Sequence, residues 1–361
     1  MQCQYKLSIS YHEKANNIYT AIYGEEHRKV ATNYNYLGKV YFLIGNYNQA
    51  KEYHQKALIV SRKIHGEENV QVAASNNNLG GDHWGLGQFN QAQEYHEKAL
   101  VIQKKIYDEE HADVAICYNC LGNDHWGLRQ YGQAKEYHEK ALYIRKKIYG
   151  EEHARVAICY NNLGNDHLGL GQYHQAQEYH EKALVIWKSI YGEQHADVAT
   201  GYTNLGIVHY RLGKYDQAQE YHEKALYIRK MRYGEEHVDV ATSYNNLGID
   251  HYRLGRYDQA QEYHEKALYI RENIYGVEHA DVATSYNALG NDHLGLGKYD
   301  QAKEYHEKAL YIRMKIYEVN KLFLMWSKPC LHNINLAVIA SVLFYLRPKE
   351  NLFKFNIVVT C

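Results

Sequence analysis

The sequence predicts an all-α protein, a right-handed α-solenoid of antiparallel helix hairpins, and three observations lead there. A Tyr-His-x-Lys-Ala motif at Tyr11 returns at Tyr53, Tyr95, Tyr137, Tyr179, Tyr221, Tyr263 and Tyr305, a constant 42-residue period without insertion or deletion. A fixed period of this size means one supersecondary unit stacked on copies of itself, because a single unit cannot bury its apolar face alone. Within each copy, apolar and small residues recur at helical spacing, which is the signature of amphipathic helices. Both prolines, Pro329 and Pro348, follow the repeats, so glycine is left to punctuate the helices.

The fifth copy illustrates the elements. From Val198 to Leu212, Ala199, Tyr202, Leu205, Gly206 and His209 share one face and define a first helix. Gly213 ends it in the left-handed region, and Asp216-Gln217-Ala218-Gln219 reads as a capping box opening a second helix. Ala218, Tyr221, His222, Ala225 and Ile228 form the apolar stripe of that helix, with Glu220 and Lys224 as an exposed pair four residues apart. Arg229, Lys230 and Arg232 crowd its last turn, where cations suit free carbonyls, and Gly234 closes it. The glycine column Gly38, Gly80, Gly122, Gly164, Gly206, Gly248 and Gly290 lies inside the first helices. Glycine there costs about 1 kcal/mol relative to alanine, so a close approach of the second helix, through its small Ala218 and Ala225 columns, is expected.

Tyr202, Leu205, Gly206, Ala218 and Ala225 stand at the signature positions of the tetratricopeptide repeat, which the chain resembles. Seven hairpins start near Arg28, Val70, Ala112, Ala154, Ala196, Val238 and Ala280. Residues 1–27 are a partial repeat, a second helix with its connector, and 28–317 hold the seven units, with core motifs at about 31–64, 73–106, 115–148, 157–190, 199–232, 241–274 and 283–316. The basic motif has about 34 residues, and the eight more found here extend the second helix and the connector. The Ile-Tyr-Gly-Glu-Glu-His connectors and Asn-Asn-Leu elements are similar to the kinesin light chain and nephrocystin subgroup. That subgroup usually has proline after the connector histidine, a position held here by Arg28, Val70 and their equivalents. A weaker resemblance, to Leu-Gly-Asn repeat adaptors, appears at Leu121-Gly122-Asn123, Leu163-Gly164-Asn165 and Leu289-Gly290-Asn291, and Ile207 and Ile249 break it.

Composition narrows the partners. Lys+Arg 41 against Asp+Glu 42 leaves a formal charge of −1, so bulk attraction to nucleic acid or an anionic membrane is not expected and a protein or peptide partner is. Six scattered cysteines among 361 residues are unlike a secreted disulfide framework. They read as reduced thiols, and the N-terminus lacks a signal-peptide core, so a cytoplasmic location is expected.

If the Tyr202, Leu205 and His209 face is buried, the opposite side of the first helices lines the concave surface. One column there reads Asn35, Asn77, Asn119, Asn161, Thr203, Asn245 and Asn287. A carboxamide donates to and accepts from peptide groups whatever the ligand's side chains, and the family resemblance implies that such asparagines grip an extended peptide. The competing role is an inter-repeat brace. The next column, Phe42, Trp84, Trp126, Leu168, Tyr210, Tyr252 and Leu294, varies as a specificity surface would. Trp84 and Trp126 are candidate anchors, and Arg211, Arg253, Lys214, Arg256 and Lys298 add positive charge towards the other end, matching a ligand with an aromatic or aliphatic end and an acidic end.

Histidine is abundant, at 23 residues. His83, His125, His167, His209, His251 and His293 lie on first helices, and His12, His54, His96, His138, His180, His222, His264 and His306 on second helices. The 13-residue offset is expected to bring the two sets together across each hairpin. Zinc needs four ligands and no cysteine or carboxylate is seen to recur beside the pair, so polar packing is the reading and no metal is expected. Rings buried neutral would make stability decline as pH falls below about 6.5.

Catalytic signatures are not found. Cys117-Tyr118-Asn119-Cys120 has redox or zinc spacing, but Cys117 and Cys159 fill a small-residue column with Ser75, Ser243 and Ser285. Gly295-Leu296-Gly297-Lys298 lacks the hydroxyl residue and leading glycine of a phosphate loop. No enzyme activity, cofactor or small-molecule substrate is expected. Residues 318–361 turn apolar and non-repetitive, and read either as a cap on the last hairpin or as non-coding sequence carried into a gene model. The lone helix at the start points to a longer parent. The expected function is a non-catalytic protein-interaction scaffold with a peptide-binding groove; the alternative is the sensor arm of a larger nucleotide-binding or signalling protein, which upstream coding sequence would reveal.

Overall fold

The computed structural model describes residues 2–326, and all fifteen elements among them are α-helices. A lone helix, α1 (Gln2–Tyr23), precedes seven hairpins: α2 and α3 (Arg28–Leu43, Tyr47–His65), α4 and α5 (Val70–Gly85, Phe89–Ile106), α6 and α7 (Ala112–Gly127, Tyr131–Tyr149), α8 and α9 (Ala154–Gly169, Tyr173–Tyr191), α10 and α11 (Ala196–Arg211, Tyr215–Tyr233), α12 and α13 (Val238–Arg253, Tyr257–Tyr275), and α14 and α15 (Ala280–Gly295, Tyr299–Trp326). Each helix packs on its hairpin partner and on the next hairpin, which makes the fold an α-solenoid. First helices also approach their counterparts, α2 with α4, α4 with α6, α6 with α8, α8 with α10 and α12 with α14. That close spacing places them on the inside of the curve. The apolar tail beyond Trp326, with both prolines, lies outside the described residues.

Helix ends follow local chemistry. Gly213 and Gly234 adopt φ of +75° and +82°, as helix termination in the left-handed region requires. At the position of Gly213 in the third copy, Arg129 takes φ +60° without that freedom. The connector residues His27, Asn69, His111, His153, His195, His237 and His279 are N-caps of the first helices, each accepting from the amide two residues on. The capping box expected at Asp216 does not form: the N-cap of α11 is Lys214, no side chain caps it, and Asp216 lies in the first turn, where its charge suits the helix dipole. Among the second helices α3, α5, α7, α9, α11 and α13, only α3 shows a side-chain cap, Asn46 Oδ1 accepting from the Gln49 amide at 3.3 Å.

The core repeats with the sequence. Leu37, Leu79, Leu121, Leu163, Leu205, Leu247 and Leu289 are buried, as are the two alanine columns of the second helices. The glycine column has a different cause from the one expected. A Cβ on Gly206 would overlap the imidazole of His222, and those on Gly38, Gly80, Gly122, Gly164, Gly248 and Gly290 would overlap His54, His96, His138, His180, His264 and His306. The missing methyl makes room for a flat ring, not for alanine.

Candidate partner-binding groove

The first-helix and second-helix histidines do not meet. His83, His125, His167, His209, His251 and His293 stack instead on the tyrosine twelve residues later, His209 on Tyr221 with centroids 5.1 Å apart. Burial lowers the pKa of His83, His209, His251 and His293, helped at His209 by Lys214 and at His251 by Arg256.

The second-helix histidines face forward into the next repeat, where a carboxylate does recur. His54 Nδ1 lies 2.6 Å from Asp82, and His96–Asp124, His138–Asp166, His222–Asp250 and His264–Asp292 repeat the contact at 2.5–2.6 Å. Each ring therefore sits over a glycine of its own hairpin and bonds to the following one, a rivet between units. Burial raises the pKa of all five aspartates against the pull of their histidines. The fourth repeat breaks the series: Val208 stands where Asp is due, and both ring nitrogens of His180 lack a partner. Burial alone drives that ring down to about 4.

A second set of inter-repeat bonds comes from arginine. Arg229 does not serve exposed carbonyls at its helix end; it is buried, and its Nη1 donates to Ser243 Oγ at 2.7 Å and Asp239 O at 3.3 Å. Arg271 donates likewise to Ser285 Oγ, Asp281 O and Asn245 Oδ1, and Arg145 to Asn119 Oδ1, Arg155 O and Cys159 Sγ.

The asparagine column lies half-buried along the inner helices. Several of its oxygens are engaged: across repeats Asn35 Oδ1 accepts from Asn78, Asn119 from Asn162 and Asn161 from Asn204 at 2.7 Å, and within a hairpin Asn119 accepts from Arg145 and Asn245 from Arg271. Asn287 Oδ1 sits 3.2 Å from His306 Nδ1. Asn77 differs, because its buried Oδ1 has no partner.

The aromatic column is more open. Trp84 and Trp126 are 41 % and 42 % exposed, and each packs edge-on against the opening ring of its second helix, Phe89 or Tyr131. Tyr210 and Tyr252 pack the same way on Tyr215 and Tyr257 and are half-buried. Arg253 Nε donates to Tyr210 at 2.7 Å, while Arg211 is exposed.

Trp84 and Asn77 share a cavity of about 420 Å³ whose other walls include Phe42, Leu43, Lys39 and Gly81. Lys39, Leu43 and Trp84 are exposed and form the rim. Its floor holds His54, His96, Cys120 and Asp124. Burial lowers the His96 pKa, but interactions with Asp124 and Cys120 outweigh it and raise it to about 10. Cys120 is unpaired, as are buried Cys117 and Cys159. Among the described residues no cluster of three or more potential ligands suits a metal ion, and no helix is long and apolar enough to cross a membrane.

Seven hairpins with this interior define a helical-repeat protein. The Tetratricopeptide repeat family matches residues 1–63, 33–105, 71–142, 113–189, 160–231, 197–268 and 239–315, and the chain belongs to that family. No curated sequence matches it. Among solved structures, the chain is similar to a Rap protein complexed with competence and sporulation factor (18% identity, 86% of this chain and 80% of that chain, TM-score 0.63). It is also similar to BtubC (BKLC) from P. vanneervenii (21%, 74% and 99%, TM-score 0.55) and to the Rap conjugation gene regulator of plasmid pLS20 in complex with the Phr* peptide (17%, 81% and 76%, TM-score 0.60). At these identities the likeness is one of fold.

Proposed function

We propose that the chain is a non-catalytic interaction scaffold whose inner wall takes an extended peptide or a partner helix, with the Phe42–Trp84 cavity as the principal anchor point. The observation that carries this reading is one open cavity lined by a half-exposed indole, Trp84, and by Asn77, whose buried Oδ1 is unpaired. An apolar side chain of the ligand would pack on Trp84 and Phe42, and a turn of the Asn77 carboxamide would bring its unpaired Oδ1 to a ligand backbone N–H. Arg211 and Arg253 offer positive charge to an acidic stretch further along. Two structures of similar fold hold bound ligands, competence and sporulation factor in one and the Phr* peptide in the other, which supports a peptide as the guest. The same scaffold reading carries the adaptor role and the cytoplasmic setting.

Affinity for a panel of twelve-residue peptides, each with one aromatic residue followed by an acidic run, tests the proposal. Trp84→Ala should weaken the best binder at least about tenfold, the scale of an interface hot spot, and Asn77→Ala should weaken it less, with far-UV circular dichroism unchanged. Asn119, Asn161 and Asn245 are poorer probes because they also brace repeats. Unaltered affinity in Trp84→Ala, or no binder in the panel, refutes the reading.

A further inference from the structure

The structure assigns a second guest to the Phe42–Trp84 cavity: a small, flat aromatic carboxylate, its ring against those two side chains and its anion at Lys39, bound without reaction.

Two consecutive departures in one column make the site. The column reads Lys39, Gly81, Asn123, Asn165, Ile207, Ile249 and Asn291, so lysine and glycine each occur in it once, on the neighbouring first helices α2 and α4. Packing does not call for glycine at 81. A Cβ on Gly80 would overlap the His96 ring, whereas one on Gly81 would meet only Phe42, at an ordinary 3.7 Å. Glycine inside a helix is unfavourable, and what it gives here is room: a longer side chain would extend past Phe42 into the space that Phe42 and Trp84 wall. The Trp84 wall is held in place, edge-on to Phe89 and with Nε1 donating to Asn123 O at 3.4 Å.

Size and charge then choose the guest. A cavity of about 420 Å³ is of the size that takes a small ligand, and such sites are apolar with a few polar groups that fix orientation. Phe42, Leu43 and Trp84 supply the apolar part, and aromatic walls favour an offset or edge-on ring. Lys39 is exposed on the lining and pairs with no carboxylate among the described residues. The buried charges of the lining are already partnered, His54 with Asp82 at 2.6 Å and His96 with Asp124 at 2.5 Å. The accessible charge is therefore positive, and a carboxylate beside the ring gains an ion pair that a neutral analogue lacks. A free acid needs the cavity alone, so the inference does not rest on a peptide lying along the groove.

The test is NMR titration of the folded full-length chain with 2-naphthoate at pH 7, followed at the Trp84 indole N–H, with 2-naphthamide as the neutral ligand of the same shape. Naphthoate should saturate that resonance with a Kd of about 1 mM or tighter, as a two-ring ligand of ordinary efficiency does, and the amide should bind about threefold more weakly, the scale of an exposed ion pair. Two substitutions restore the asparagine that three other copies carry, so the fold is kept. Lys39→Asn should bring the two ligands to equal affinity, and Gly81→Asn should weaken both at least about tenfold by filling the space the ring buries in. No saturable shift at Trp84, an amide that binds as tightly as the acid, or affinities that Gly81→Asn leaves unchanged overturns the inference. A peptide that saturates the same resonance where naphthoate does not also overturns it, while leaving the groove reading intact.

Discussion

Replacing His180 by phenylalanine isolates a rivet that lacks its aspartate. The His180 ring is 0 % exposed, lies against Gly164, and has no partner at either nitrogen. Burial lowers its pKa from 6.5 to about 4. The folded ring is therefore neutral at a pH where the unfolded chain has taken up a proton. Its contribution is intact above about pH 6.5 and is lost as pH falls from there towards 4, at about 1.4 kcal/mol per pH unit and about 3 kcal/mol in all. Phenylalanine keeps a flat ring over Gly164 and cannot bind a proton. At pH 7.5 the variant should stay within about 1 kcal/mol of the parent, since no hydrogen bond is given up and only a small volume is added. At pH 5 it should be the more stable by about 2 kcal/mol in the units around α9 and α10.

Repeat arrays open locally and need not unfold in one step, so amide hydrogen exchange resolved to α9 and α10 at the two pH values is the assay. NMR titration of the His180 ring in the parent supplies the direct check. A ring titrating near 6.5, or identical acid sensitivity of those amides in parent and variant, would refute the reasoning.

Gly206→Ala should destabilise by about 1–3 kcal/mol although alanine is the better helix former by about 1 kcal/mol, because the added methyl overlaps His222; urea melts would register it. Arg271→Ala should cost about 2 kcal/mol, the range for hydrogen bonds to a charged group, by leaving Ser285, Asp281 and Asn245 without their donor. Its loss should appear as faster exchange confined to α13 and α14.

The helices were legible because period and helical spacing are local properties: the expected hairpins, Gly213 and Gly234 all depend on residues within one copy. Partnerships across copies were harder to read. Histidine occupies three columns with three tasks, stacking on a tyrosine at His209, riveting the next repeat at His222, and capping a helix at His237. The offset of 13 residues suggested that two of these sets meet. The relevant offset was 28, from His54 to Asp82, and the signal for it was present: an aspartate recurs at that distance in five copies and gives way to valine at Val40 and Val208. The glycine column was assigned to packing, but its cause, a ring on the facing helix, needed the hairpin register. For the groove, the amide column and Trp84 could be named in advance. The unpaired oxygen of Asn77 and the space beside Gly81 could not, since both arise where neighbouring copies differ.

Those differences are concerted at the junction of α9 with α10. Where other junctions place a buried arginine such as Arg145, Arg229 or Arg271, this one has Trp187; opposite it, Gly201 replaces the serine or cysteine that would accept from arginine. Thr203 replaces asparagine and turns its hydroxyl back to Ala199 O at 2.9 Å, and Val208 replaces aspartate. Arginine without its acceptors would leave a buried charge uncompensated, so Trp187 and Gly201 change sensibly as a pair; Val208 removes the partner of His180 and has no such reason. The result is a large apolar cluster in which Trp187 packs with Val156, Tyr160, Val198, Tyr202 and Leu205. The array is thus held by directional polar bonds at most of its junctions and by apolar contact at this central one. His180 is the ring buried in that junction with neither nitrogen partnered, which is why its substitution separates the acid response there from that of the partnered rivets.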